Sequence, residues 1–195
     1  MHGLINRAIQ RFVTDSYGEA KWLAVTKRAN LEFTEFEAMW IYKDAITSDV
    51  LSAVCDVLYR SDEELLEDIG TYLVSDPNIA AIRRLLRFGG LNFVEFLHSL
   101  DDLPDRARLA VSDLHLPRVE LTENSQTSYS LRCYDDLYGW GYVFMGVLRA
   151  MSDDYGALAF LEHKGRDSDA EIVEISLLEQ EFSADRGFDL GVRSA

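Results

Sequence analysis

Over the first thirty residues, apolar side chains recur every three or four positions. Leu4, Ile5, Ala8, Ile9, Phe12 and Val13 fall on one side of a helix. Tyr17-Gly18 interrupts the run as a helix end would, and a second helix continues through Trp22 and Val25 to about Ala29. The pattern predicts a short helix over 34–43, then one capped by Ser48 with Val50, Leu51, Val54, Val57 and Leu58 inward. Ser61-Asp62-Glu63-Glu64 has the form of a capping box and opens a helix with an apolar stripe of Leu65, Leu66, Ile69 and Leu73. Asp76-Pro77 closes that element and begins the next, which carries Ile79, Ile82, Leu85 and Leu86 and stops at Gly89-Gly90. A helix from Asn92 to Leu100 then delivers the chain to Leu103-Pro104, where proline suits only a first turn and Asp101 or Asp102 is placed to cap it.

Past Pro117 the period changes. Residues 118–122 and 128–133 alternate like two strands around Glu123-Asn124-Ser125-Gln126, and helical spacing returns from Leu137 to Tyr155. Residues 157–162 and 170–182 predict a closing hairpin across Gly165–Ser168, with Val173, Ile175 and Leu177 on one face. Helices first and an antiparallel sheet later make the fold class α+β, a single domain over 1–183 with a tail at 184–195.

Charge narrows the function classes. Nineteen Lys and Arg stand against 34 Asp and Glu, a formal charge of −15. Such a field repels phosphate backbones and anionic lipid surfaces, which argues against a nucleic-acid or membrane partner. The two cysteines, Cys55 and Cys133, make neither a disulfide framework nor a zinc site. With no signal-like or membrane-spanning stretch, the expectation is a reduced, cytoplasmic protein. No Gly-rich phosphate loop, nucleophile elbow or metal-binding His pair appears, so an enzyme is not expected.

Three segments carry a resemblance: MHGLINRAIQRFVTDSYG at the start, LHSLDDLPDRARLAVSDLHLP over 97–117 and LRCYDDLYGWGYVFMGVLRAM over 131–151. Together they resemble the haem nitric oxide/oxygen-binding (H-NOX) family, which includes the sensor domain of soluble guanylate cyclase. The resemblance implies a helical N-terminal part followed by a small antiparallel sheet with an inserted helix. The cofactor it implies is haem. In that family a Leu-Asp-x-Leu-His pattern supplies the proximal iron ligand; here it is Leu100-Asp101-Asp102-Leu103-Pro104. Pro117, thirteen positions after Pro104, matches the family proline that presses on the porphyrin, and Ile5 matches an aliphatic contact. Val143 and Val147 are further pocket positions by the same resemblance.

The family's Tyr-x-Ser-x-Arg clamp for the haem propionates falls, without gaps, on Cys133, Asp135 and Leu137. Asp135 would set a like charge beside a propionate. A shifted alignment on Ser128, Ser130 and Arg132 recovers a serine and an arginine at the expense of an insertion. With ligand and clamp both replaced, other ligands come into view. His115, two residues before Pro117, is an alternative ligand; His98 falls on another helix face from Pro104; Cys133 offers a thiol; His2 and His163 look remote. An empty pocket would be costly, at about 24 cal/mol per Å³ of void. The aromatic run 138–145, with Trp140, Tyr142 and Phe144, is therefore a candidate filling, or else ordinary core.

Two readings remain. One is a stand-alone regulatory domain, haem-free or with altered ligation, acting by protein contact or on another apolar ligand. The other is a haem-bound NO, O2 or CO sensor. By resemblance the partner in either case is a separate signalling protein such as a histidine kinase or a cyclic-nucleotide enzyme.

Overall fold

The computed structural model describes residues 1–77, 80–135 and 139–179. The expected tail at 184–195, the strand end at 180–182, Ile79, Leu137 and Tyr138 lie outside the described residues. Seven helices come first: α1 Gly3–Tyr17, α2 Glu19–Arg28, α3 Asp44–Leu58, α4 Asp62–Ser75, α5 Ala80–Arg87, α6 Phe93–His98 and α7 Leu103–Ala110. The chain continues through β1 Arg118–Ser125, β2 Ser128–Tyr134, α8 Trp140–Tyr155, β3 Leu158–Asp167 and β4 Ala170–Glu179. The strands form one antiparallel sheet in the order β1-β2-β4-β3, so the fold is α+β as expected.

The apolar stripes of α1 to α4 meet in one cluster around Phe12, Val13, Trp22, Phe36, Val54 and Leu65. A second cluster, around Phe96, Leu97, Leu131, Phe144, Leu148 and Ile175, packs α6 and α8 on the inner face of the sheet. The halves join along α4 and α8. A Cβ at Gly70 would fall on the Val143 carbonyl, and one at Gly146 on the Glu67 carbonyl, so the two backbones touch. Thr71 Oγ1 donates to the Gly146 carbonyl at 3.4 Å, and Arg149 Nη2 reaches Glu67 Oε1 at 2.5 Å across the same seam.

Local expectations fail in a few places, each for a physical reason. Residues 34–43 form no helix. Burial of the Phe33, Phe36 and Tyr42 rings against one another outweighs the weak helical spacing. The backbone there is satisfied by side chains: Trp22 Nε1 donates to the Thr34 carbonyl (2.6 Å), and Phe36 N–H donates to Gln10 Oε1 (3.0 Å). Ser48 lies inside α3, which begins at Asp44, and its hydroxyl back-bonds to the Asp44 carbonyl. The capping box at Ser61 and Glu64 forms as expected. The strands outrun the sequence reading: β1 continues to Ser125, and β3 runs to Asp167 through a register shift between His163 and Arg166 that contains Gly165 at φ 83°.

Candidate ligand-binding site

Pro104 is the second residue of α7, half-buried behind the buried Leu103. A helix start leaves its first amides without intrahelical partners, so proline loses nothing there. Neither neighbouring aspartate caps the turn with its side chain. Asp102 occupies the N-cap position without that bond, and Asp101 Oδ1 instead accepts from Leu121 N–H at 2.7 Å, tying the entry of α7 to β1. His98 is exposed, 3.6 Å from Glu123, and His115 is exposed in the turn before the buried Pro117.

The other expected pocket positions divide between the two halves. Ile5 packs, half-buried, against the N-terminal cluster; Val147 is buried in the C-terminal one, and Val143 is buried where α8 meets α4. Phe144 joins Leu148 and Met151 in that second core, while Trp140 and Tyr142 pack partly buried on its margin.

Cys133 is buried on β2, and its thiol is held well above the ordinary value by burial and by the negative charge of Glu171. Asp135 lies half-buried just beyond β2, and its carbonyl accepts from Arg166 Nη2 at 2.8 Å. Leu137 lies outside the described residues. The residues of the shifted alignment share one face of β2. Ser130 and Arg132 alternate with Leu131 and Cys133, so they point to the opposite sheet face. There Ser130 Oγ accepts from Asn124 and Arg132 lies 3.7 Å from Asp167.

The chemistry that the sequence reading missed sits across the sheet from Cys133. Glu171 is its register partner on β4 and only 1% exposed. One carboxylate oxygen accepts the Gly139 N–H at 2.6 Å and the other the Gly141 N–H at 3.0 Å, at the positive start of α8. His163 Nε2 lies 3.2 Å from Glu171 Oε2, while its Nδ1 accepts the Gly165 N–H at 3.1 Å. Because Nδ1 accepts, the ring proton sits on Nε2, directed at the carboxylate. Tyr142 stacks on His163 at 4.0 Å between centroids and 12° between planes, and its hydroxyl donates to Glu63 on α4. A Cβ at Gly141 would lie 2.6 Å from His163 Nε2 and 2.7 Å from Glu171 Oε2, so this arrangement needs glycine. His163 is therefore part of a buried cluster linking β3, β4, α8 and α4.

His2 was set aside as well. It is buried, accepts the Leu4 N–H at Nδ1 as the cap of α1, and lies 3.4 Å from Asp113 in the turn before Pro117.

These side chains were compared with what an iron-ligated haem requires. Proline offers no donor at position 104, Cys133 is a protonated buried thiol, and His115 faces solvent. The amides at the start of α8 are already taken by Glu171. Among the described residues no group of three or more His, Cys, Asp or Glu side chains could hold a metal ion. The donor set at these positions does not fit an axially ligated haem.

Comparison with known proteins agrees with the fold. A soluble guanylate cyclase of Caenorhabditis elegans, gcy-31, is 25% identical over 154 residues, covering 79% of this chain and 22% of its own. The beta-2 subunit of rat soluble guanylate cyclase is 26% identical over 93 residues, covering 48% of this chain and 14% of its own. The match thus spans 22% and 14% of the length of these two relatives. Among solved structures, the Fe(II) unliganded H-NOX protein of K. algicida superposes with a TM-score of 0.78 at 15% identity, covering 93% of this chain and 99% of that one. The Fe(II)NO form of the S. oneidensis H-NOX protein gives 0.74 at 15%, covering 92% and 100%. The haem-NO-binding (HNOB) family model matches residues 2–161, and the chain belongs to that family.

Proposed function

We propose that this chain is a regulatory domain of the haem-NO-binding family that works without an iron-ligated haem and acts by contact with a signalling protein. The observation that carries this reading is Pro104: at the ligand position the chain has a residue with no donor, built into the first turn of α7. Glu171 supports it, because the chain's own carboxylate holds the α8 amides. A regulatory rather than catalytic role follows the family, whose domains serve as sensors. A cyclic-nucleotide enzyme is the partner class suggested by the guanylate cyclase relatives, and a histidine kinase is the other. No helix among the described residues is long and apolar enough to cross a membrane.

A second reading, the haem-bound gas sensor, draws on the family match and on the apolar burial of Pro117, Val143 and Val147. Folding separates the two. A ligand at a hundred times its Kd stabilises a fold by about 2.7 kcal/mol. For a domain of this size that raises the thermal midpoint by roughly 5–10 °C. Protein made in haem-depleted cells is expected to show full helix content and a midpoint that hemin leaves within about 2 °C. Protein that folds only with hemin would reverse the assignment.

A further inference from the structure

In a chain of net charge −15, α5 has the sequence AAIRRLLR, with three arginines and no acid. Two of them share one partner. Arg83 bonds Asp154, and Arg87 Nε lies 3.7 Å from the same carboxylate while its guanidinium sits 4.2 Å over the Tyr155 ring. Arg84 is exposed and has no carboxylate within 4 Å among the described residues. Residues 80–91 themselves carry three arginines and no acid on a molecule of net −15.

The turn that follows α5 is apolar and outward-facing. Phe88 is 87% exposed and Leu91 is 91% exposed. The turn is not loose: Tyr155 Oη donates to the Gly90 carbonyl at 2.9 Å, and Leu91 N–H donates to Glu95 at 2.8 Å. Two large apolar side chains are therefore held in water on a fixed turn beside an exposed arginine. Exposing them forgoes the stabilisation that each would gain if covered. An arginine beside apolar anchors is the composition of an interaction hot spot.

We infer that α5 and the 88–91 turn form a docking surface for a partner protein, and that the segment it takes is an amphipathic helix with carboxylates flanking an apolar stripe. Charge complementarity selects that occupant: Arg84 requires an acid, and Phe88 with Leu91 require apolar cover. A second copy of this acidic chain meets general repulsion. The surface abuts the end of α8, whose Asp154 holds Arg83 and Arg87 and whose Tyr155 bonds the Gly90 carbonyl. This inference rests on the regulatory reading above.

The test uses the full chain and a labelled helical peptide built of leucine on one face and glutamate on the other, followed by fluorescence anisotropy at low salt. Saturable binding is expected, weakened about tenfold or more by Arg84→Glu and by Phe88→Ser/Leu91→Ser. A lysine version of the peptide should bind at least tenfold more weakly. All these positions are exposed, so the thermal midpoints should match wild type. No binding, or equal binding by the variants, overturns the inference while leaving the haem experiment unaffected. Binding to phosphatidylserine vesicles that Arg84→Glu abolishes would reassign the surface to a membrane. Self-association abolished by Phe88→Ser would reassign it to a second copy.

Discussion

The least replaceable side chain in the C-terminal half is Glu171, because its two oxygens satisfy two buried amides and one imidazole at once. Glu171→Gln keeps the volume but turns an NH2 group toward donors. The imidazole cannot adjust, because its other nitrogen already accepts from Gly165. A loss of about 2–4 kcal/mol is expected, read from urea unfolding midpoints. A loss under ~0.5 kcal/mol would contradict the cluster's role. The thiols give a second check. Burial, Asp62 and Asp56 push Cys55 from 9.0 up to about 12, and Cys133 is raised still further by burial and Glu171. A raised folded value on an acid favours the protonated form. Its stabilising contribution is therefore complete below pH 9 and is lost as pH climbs through 12. Native protein at pH 8 should react with a thiol reagent far more slowly than denatured protein, and stability should fall above about pH 9. Both residues were visible in the sequence only in part. Val173, Ile175 and Leu177 mark the inward face of β4, and the same parity assigns Glu171 to it. That its carboxylate would find three donors depended on register across β3 and on the start of α8, which single-strand periodicity does not reveal.

At the scale of elements, periodicity predicted the helices well where an apolar stripe was long, as in α1, α3 and α4. It failed over 34–43, where three rings pack on each other and side chains serve the backbone. It also gave no sign of how α4 meets α8. Gly70 and Gly146 are isolated glycines in helical patterns, and only the assembled pair shows that each lets a neighbouring carbonyl approach. Gly146→Val should therefore cost more than its helix propensity would suggest, about 2 kcal/mol or more, because backbone rather than a flexible side chain must yield. Thermal or urea unfolding measures this; a neutral result would show that the helices separate freely. By contrast, Pro104→Ala removes a residue that suits the start of α7 and opens no buried void. It should change stability by less than about 1 kcal/mol.

The whole molecule is two apolar clusters joined along one helix pair and bearing a strong negative charge. Self-repulsion at low ionic strength should make it less stable than in salt. The thermal midpoint is expected to rise by a few degrees between about 10 and 150 mM NaCl as the screening length shrinks to about 8 Å. Fold class and family were legible from the chain: α+β order follows from the change of period at Pro117, and three segments carried the resemblance. What the pocket has become was only half legible. The sequence displays Pro104 and its place in a first turn, but not that neither aspartate caps that turn, nor that a glutamate from the last described strand holds the amides of α8. The most direct measurement is the visible absorption of protein expressed with excess haem supplied, recorded ferric, ferrous, and ferrous with carbon monoxide. A colourless protein without a stoichiometric Soret band is the predicted result; a full Soret band that shifts with carbon monoxide would contradict it.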